Sequence, residues 1–232
     1  SIEGEERVST VNTLLKRMLN VIKKHGKKVL ITIDEADNSE QMKLFIQAYQ
    51  SLIRLKYPVM LLMTGLYENI SKLQENKTLT FLYRAPKIYL SPLSIASIAT
   101  SYSFYLGIDK EQAKEMALLT KGYAYAYQLL GYLYFEMNKQ KLDEELLLEY
   151  DHYLAECVYD KLYTELSQKE QVILKAIQSN DAVSIGELCS RTGLDIKYMS
   201  VYRDRLIKKG VIYASSYGYV QYSLPRFWEY LY

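Results

Sequence analysis

Cysteine, histidine and long apolar runs are scarce in this sequence, and each scarcity excludes a class of protein. The two cysteines, Cys157 and Cys189, lie far apart in the chain, and the only histidines are His25 and His152. A zinc site, a disulfide framework and a His-based catalytic triad are therefore poorly supported. Buried, reduced thiols are the default expectation, which fits a cytoplasmic protein. No apolar run approaches the length of a membrane span and no basic-then-apolar leader opens the chain, so we expect neither a membrane span nor a signal peptide.

Net charge is also nearly absent. Twenty-nine Lys and Arg residues oppose 27 Asp and Glu residues, which leaves a formal net charge of +2. No global field drives binding to nucleic acid or to a membrane, so any such surface has to be local. Hydrophobic residues make up 49% of the 232 residues, enough for one large domain or two to three small ones. The 24 tyrosines are spread along the chain, and the sequence offers no functional reason for them.

The segment Lys28–Asp37, K-V-L-I-T-I-D-E-A-D, predicts a buried strand that ends in acid. Its strand residues are almost all apolar, which is typical of a parallel sheet covered by helices on both faces. Ligands of such sheets gather at the carboxyl ends of the strands, where Asp34 and Glu35 would stand. Carboxylates there can hold a hydrated magnesium ion and polarise a water, as nucleotide hydrolysis requires. Alternatively, Asp34 or Asp37 only caps the helix that begins near Ser39.

The first part of the chain alternates between helix and strand, which predicts an α/β fold with a parallel sheet. An amphipathic helix from Val8 to Ile22 precedes the acid-tipped strand, and a second helix follows it at about residues 40–56. A second strand, Val59–Met63, ends at Thr64 and Gly65. A short helix and a short third strand, Lys87–Leu90, are predicted next, with the basic residue Arg84 just before that strand.

After Leu93 the pattern becomes helical. Four helices are predicted over residues 94–106, 110–119, 123–137 and 143–166. Four residues of the third helix recur on one face at spacings of three and four: Tyr123, Tyr127, Leu130 and Tyr134. Aromatic rows of this kind are much more often core than a platform for stacking bases, and we interpret this one as core.

From Ser167 the pattern predicts a winged helix-turn-helix. Ser167 and Glu170 form a capping-box pair that begins a first helix, a second short helix covers residues 184–191, and Asp195 caps a third that ends at Gly210. Two alternating segments around residues 215–218 then predict a β-hairpin.

The third of these helices would be a recognition helix with a modest excess of basic residues. Periodicity predicts that Ile196, Met199 and Leu206 point inward and that Arg203 lies close to the buried face. The residues that would face a DNA major groove are Lys197, Tyr198, Val201 and Arg205, and Tyr217 at the hairpin tip would reach phosphate or minor groove. The hairpin has no Lys or Arg, so docking on its own core or on a partner protein stays open as the alternative to double-stranded DNA.

In this order, V-L-I-T-I-D-E-A-D resembles the Walker B motif of prokaryotic AAA+ and STAND-type P-loop ATPases. L-L-M-T-G resembles their sensor 1 strand, F-L-Y-R followed by I-Y-L-S-P-L-S their arginine-bearing segment, and T-K-G-Y-A-Y-A-Y-Q-L-L their helical lid. A winged helix after the lid resembles the arrangement of the origin-recognition initiator group. The resemblance implies that ATP and magnesium are bound in the complete protein.

The resemblance also implies a role for each matching residue. Asp34 would hold magnesium through water, and Glu35 would orient and polarise the attacking water. Thr64 would hydrogen-bond that water or the γ-phosphate. Arg84 would sense the γ-phosphate or act as an arginine finger, because its planar charge matches phosphate oxygens, and its alternative is an ordinary surface ion pair.

Two departures from the family limit what this chain does alone. Nothing in it matches the phosphate-binding loop G-x-x-x-x-G-K-[ST], so we expect it to bind ATP poorly and to be inactive without an upstream segment. The lid position where many relatives carry an arginine is Tyr125. The tetrapeptide D-E-A-D also suggests the DEAD-box helicases, but those need a second α/β sheet where this chain is predicted to be helical.

The sequence therefore predicts three parts in a mostly α-helical protein. They are the end of an α/β nucleotide-binding core over residues 1–93, an all-α lid over 94–166 and a winged helix-turn-helix over 167–232. The chain is predicted to be a portion of a protein that hydrolyses ATP in its complete form and uses the winged helix as its output. The alternative is a DNA-binding or protein-docking regulator whose ATPase-like core is only a scaffold.

Overall fold

The computed structural model describes the backbone of residues 2–232 and the side chains of residues 13–67 and 69–232. The chain divides into two compact units, Ser1–Ile88 and Tyr89–Tyr232. The described chain is mostly helical, with a small parallel sheet in the first unit and a small antiparallel sheet in the second. Among the described residues, no helix is long and apolar enough to cross a membrane.

The first unit is a two-stranded parallel sheet with helices packed on one face. Strand β1 pairs with β2 in a register that sets Val29 opposite Val59 and Ile33 opposite Met63. Buried residues of the first two helices, among them Leu19 and Leu52, cover the side chains of that face. The elements of this unit are α1 (Ile2–Lys24), β1 (Val29–Ile33), α2 (Glu40–Arg54), β2 (Val59–Met63), α3 (Tyr67–Glu75) and a 3₁₀ helix (Thr80–Arg84). Val8 and Val11, predicted on the apolar face of α1, lie outside the described side chains.

The side chains on the other face of this sheet are exposed. The prediction that helices cover both faces is therefore wrong for the part of the chain that the structure describes. Leu30, Met60 and Leu62 are 56%, 48% and 45% exposed. Their neighbours along each strand are at least partly buried, because successive side chains of a strand point to opposite faces.

The predicted third strand, Lys87–Leu90, is also wrong. This segment has no regular secondary structure, and Ile88, Tyr89 and Leu90 are exposed. A strand forms only where a neighbour offers backbone groups to pair with, and within the described chain this segment pairs with none.

The second unit begins with helices joined by short turns. They are α4 (Ile95–Leu106), α5 (Lys110–Leu119), α6 (Ala124–Glu136), α7 (Glu144–Leu154) and α8 (Asp160–Thr164). The single helix predicted over 143–166 is interrupted by a π-helical turn at Ala155–Tyr159. The predicted aromatic row lies in the core, with Leu130 and Tyr134 buried and Tyr123 and Tyr127 partly buried against the same core cluster.

Residues 167–232, here called the C-terminal segment, complete the second unit. Their elements are α9 (Gln168–Ile177), β3 (Val183–Ser184), α10 (Ile185–Thr192), α11 (Ile196–Lys208), β4 (Ile212–Ser216), β5 (Tyr219–Tyr222) and α12 (Phe227–Leu231). The capping box of Ser167 and Glu170 at the start of α9 and the antiparallel β4–β5 hairpin are confirmed. The two-residue strand β3, which pairs with β5, was not predicted, because two residues are too short for a periodicity signal.

One hydrophobic core runs through the whole second unit. Buried residues of the helices, such as Leu130 and Leu154, belong to the same cluster as Leu206, Val220 and Phe227 of the C-terminal segment. The C-terminal segment therefore shares its core with the helices before it, and the two belong to one compact unit.

Candidate functional site

The carboxyl ends of β1 and β2 bring Asp34, Glu35 and Thr64 together. Backbone pairing continues past both strands, because the Thr64 N–H donates to the Ile33 carbonyl (2.9 Å) and the Ala36 N–H donates to the Thr64 carbonyl (2.8 Å). Ala36 is fully buried, whereas Asp34, Glu35 and Thr64 are exposed. The turn after β1 is thus fixed against the end of β2, with its carboxylates in solvent.

Gly65 allows this close approach. A Cβ atom at that position would lie 2.7 Å from the Ala36 carbonyl oxygen, closer than real Cβ contacts allow. Only glycine lets the two turns pack at this distance. Gly65 is therefore a structural part of the site that the sequence showed only as the end of a strand.

Asp34 is held by hydrogen bonds to a single carboxylate oxygen. The Thr64 hydroxyl and the Glu35 N–H, the latter at 3.0 Å, both donate to Oδ1. The bond from Thr64 and then that from Glu35 lower the pKa of Asp34 below its ordinary value, because each stabilises the charged form. The carboxylate of this exposed side chain is thus ionised at neutral pH.

Glu35 has a strained backbone. Its φ of +52° lies in the left-handed region, which non-glycine residues seldom adopt. Strain of this kind persists only where the surrounding structure enforces it, and it is concentrated at functional sites. The Ala36–Thr64 hydrogen bond and the Glu35 N–H bond to Asp34 enforce it here.

Capping of the next helix does not involve Asp34. Ser39 is the N-cap of α2, and its hydroxyl accepts from the Met42 N–H at 3.2 Å. Asp37 supports that cap by accepting from the Ser39 hydroxyl (2.6 Å) and N–H (3.1 Å), which lowers the pKa of Asp37. The alternative interpretation of the acids as helix caps thus applies, indirectly, to Asp37 alone.

Arg84 is the fourth residue predicted to act at this site. It ends the 3₁₀ helix Thr80–Arg84 with an exposed side chain, next to the buried Leu82. Within the described residues, no hydrogen bond or ion pair joins Arg84 to Asp34, Glu35 or Thr64. The proposed phosphate-sensing role of Arg84 stays a prediction.

The donors at this edge suit a hydrated magnesium ion rather than a cage built of protein ligands. No group of three or more His, Cys, Asp or Glu side chains that could hold a metal occurs among the described residues. Magnesium commonly keeps several of its waters and needs only one or two carboxylates plus phosphate oxygens. Asp34, ionised and exposed, fits that demand.

The predicted nucleic-acid face lies on α11 and on the hairpin. Lys197, Tyr198, Val201 and Arg205 are all exposed on α11, and Tyr217 is fully exposed at the hairpin tip. Met199 and Leu206 are buried as predicted, but the prediction that Ile196 points inward is wrong, since it is 70% exposed. Ile196 is the first residue of α11, where the helix is only beginning to pack.

The two cysteines and Tyr125 were also singled out in the sequence. Both cysteines are free, but they are not buried, since Cys157 is exposed and Cys189 partly exposed. Tyr125, in the position where relatives of the resembled family carry an arginine, is partly buried. Burial and a hydrogen bond with Cys157 raise its pKa to about 12.

Comparison with known proteins finds similarity to a family model and to solved structures. The family model described as "Domain of unknown function (DUF8462)" matches residues 156–231, less than half of the chain. No curated protein matches. Among solved structures, the chain is similar to the ORC2 protein of Aeropyrum pernix, solved as ADPNP–ADP complexes, at 14% identity and a TM-score of 0.42. That similarity covers 92% of this chain, which spans 64% of the ORC2 chain.

Proposed function

We propose that this chain is part of an AAA+/STAND-like ATP-binding protein that hydrolyses ATP in its complete form. The observation that carries the proposal is the bond from Thr64 to Asp34 across the ends of two parallel strands, beside the strained Glu35. Two ionisable groups and a hydroxyl at this edge of a sheet are what magnesium-dependent phosphoryl transfer uses. The resemblance to Walker B and sensor 1 motifs supports the same proposal.

Each residue would have a separate task. Asp34 would hold a water ligand of magnesium through its exposed carboxylate, and the ion would neutralise charge on the phosphates. Thr64 fixes the orientation of Asp34 by donating to Oδ1, and its oxygen retains the capacity to accept from the attacking water. Glu35, exposed in its strained turn, accepts the proton of that water. Arg84 would place its positive charge against the γ-phosphate, either as a sensor or as an arginine finger.

Measurement of ATP hydrolysis by the complete protein tests this proposal. We expect Glu35→Gln to slow ATP turnover by about 100-fold, because a general base is lost, while nucleotide stays bound. The matched control is Glu40→Gln, an exposed glutamate of the same unit whose carboxylate pairs with Lys43. Turnover by Glu35→Gln at the rate of the unchanged protein would refute the proposal.

The chain of 232 residues is expected to behave differently from that complete form. Because it contains no phosphate-binding loop, titration with a fluorescent ATP analogue should show weak binding, and turnover should be undetectable. Tight, magnesium-dependent binding by this chain would contradict the assignment of the phosphates to residues outside it.

A second candidate function is binding of nucleic acid by the C-terminal segment, which we interpret as a winged helix-turn-helix that serves as the output. The observation that favours it is the set of exposed side chains on α11 together with the fully exposed Tyr217. Its protein-binding alternative predicts flat isotherms with DNA. Salt-dependent DNA binding that weakens on Lys197→Ala and on Arg205→Ala would support the nucleic-acid version.

A further inference from the structure

Four side chains of the C-terminal segment alternate cation and aromatic ring, and we call them the ring ladder: Tyr198, Lys169, Tyr202 and Arg205. The Lys169 ammonium lies 5.9 Å from the centre of the Tyr198 ring and 5.8 Å from that of Tyr202. The Arg205 guanidinium carbon lies 5.4 Å from the Tyr202 ring centre. These are cation–π distances, so each cation is held over the face of a ring.

Two helices supply the ladder, and a buried ion pair sets their relative position. Tyr198, Tyr202 and Arg205 follow one another at helical spacing on α11, while Lys169 stands in the first turn of α9. Glu170, next to Lys169, is 2% exposed and accepts from the Lys209 ammonium at the end of α11 (3.2 Å). This contact between α9 and α11 fixes Lys169 beside both rings.

The charge of the ladder is entirely positive. Asp204, the one acidic residue within α11, is paired with Lys208 at 2.7 Å. A cationic ladder therefore complements a polyanion, and its exposed members are Lys169, Tyr198 and Arg205.

Aromatic rings outnumber charged side chains in the hairpin of the C-terminal segment. The hairpin residues 212–222 contain no Lys or Arg, whereas Tyr213, Tyr217 and Tyr219 are exposed there. Recognition of duplex DNA depends chiefly on phosphate contacts by Lys and Arg. Single strands are bound instead by a few cations and by aromatic rings on which unpaired bases stack.

We propose that the ring ladder binds single-stranded nucleic acid. Lys169 and Arg205 contact two backbone phosphates, and an unpaired base stacks on Tyr198, which is 58% exposed. Tyr202, flanked by both cations, spaces them along the strand. The proposal rests on the second candidate function and narrows its ligand from duplex to single strand.

Fluorescence anisotropy with a labelled 20-nucleotide oligo(dT) and a 20-base-pair duplex tests the proposal on the full chain. We expect oligo(dT) to bind more tightly than the duplex. Tyr198→Ala should weaken oligo(dT) binding by at least about fivefold, since it removes a stacking ring, whereas Tyr198→Phe should keep most of it. Lys169→Ala should reduce the slope of log K against log salt by about 0.7, because one phosphate contact is lost.

Matched controls lie on the helices before the C-terminal segment. Tyr132→Ala removes a ring that is also 58% exposed, and Lys114→Ala removes an exposed lysine, and neither should change the affinity. The fluorescence of Trp228, the single tryptophan, verifies that each variant is folded. Tighter binding of the duplex, unaffected by Tyr198→Ala, would overturn the single-strand proposal and leave nucleic-acid binding standing. Absence of binding to either oligonucleotide would overturn both, and neither outcome bears on ATP hydrolysis.

Discussion

Arg226 donates two hydrogen bonds to Asp151, one from Nε to Oδ1 and one from Nη2 to Oδ2 at 2.6 Å. This bidentate pair joins the start of α12 to α7 across 75 residues of sequence, with both side chains mostly buried. The Arg226 backbone has a positive φ of +48°. Next to it, the Tyr159 hydroxyl donates to the Pro225 carbonyl, and the Lys121 ammonium donates to the Tyr222 carbonyl at 3.1 Å. These bonds attach the C-terminal segment to the helices before it.

Loss of this ion pair should destabilise the second unit. We expect Asp151→Ala to lower its free energy of unfolding by about 2 kcal/mol, because the mostly buried guanidinium of Arg226 loses its bidentate partner and keeps only the longer contact with Glu229 (3.6 Å). Urea unfolding followed by Trp228 fluorescence measures this, since Trp228 lies in the same unit. Asp204→Ala breaks a surface pair with Lys208 and should cost only about 0.5 kcal/mol. Equal losses in the two variants would show that the Arg226 pair adds nothing beyond a surface contact.

The turn between α5 and α6 should tolerate no side chain at Gly122. A Cβ there would lie 2.5 Å from the Leu93 carbonyl oxygen, in a turn whose Gly122 carbonyl accepts from the Leu93 N–H at 2.8 Å. Gly218 has the same φ of +77° and no atom within 4 Å of such a Cβ, so Gly218→Ala is the matched control. We expect Gly122→Ala to be less stable than Gly218→Ala by about 1–3 kcal/mol in the same unfolding experiment.

If the two variants are equally stable, backbone strain alone accounts for both glycines. The close approach of Leu93 to the turn would then have no energetic weight.

Stability should depend on acid through Glu170. Burial on its own would raise the pKa of Glu170, but the bonds from the Ser167 N–H and hydroxyl and from Lys209 together outweigh it and lower the pKa below 4.5. A carboxyl whose folded-state pKa is lowered stabilises the protein above its unfolded-state pKa, and the stabilisation is lost as the pH falls below about 4.5. The stability gap between the unchanged protein and Glu170→Gln should therefore shrink from pH 6 to pH 3. Glu165→Gln, at an exposed site, is the control, and a gap constant with pH would contradict the prediction.

The strained turn at Glu35 should prefer glycine over alanine. At a φ of +52° a side chain costs about 1 kcal/mol, so Glu35→Gly should be more stable than Glu35→Ala by roughly that amount. Both variants lack the carboxylate, so the difference isolates the backbone. Hydrogen exchange of the Ala36 and Thr64 amides, which bond across this turn, measures it. Faster exchange in Glu35→Gly than in Glu35→Ala would contradict the strain.

Local signals in the sequence predicted local structure well. The capping box of Ser167 and Glu170 is confirmed because both partners lie within one turn, and the burial of Met199 and Leu206 follows from helix periodicity. The strand predicted at Lys87–Leu90 failed because a strand depends on a partner that local sequence does not specify.

The candidate sites divide in the same way. Asp34 and Glu35 were identifiable because they directly follow an apolar strand. The position of Thr64 beside them follows from the parallel pairing of the two strands. The strain at Glu35, the need for glycine at position 65 and the place of Lys169 in the ring ladder were not identifiable. Each depends on how two distant segments pack, and no periodicity in either segment records it.

The exposed apolar face of the parallel sheet should make this chain associate with itself as its concentration rises. Leu30, Met60 and Leu62 remain in water, and each strand of the two-stranded sheet has an edge without a partner strand in the described chain. Apolar patches and open edges attract copies of themselves, and a net charge of +2 gives little repulsion to oppose that attraction. These three side chains therefore favour self-association of the isolated chain, and a charged residue in place of Met60 should raise its solubility.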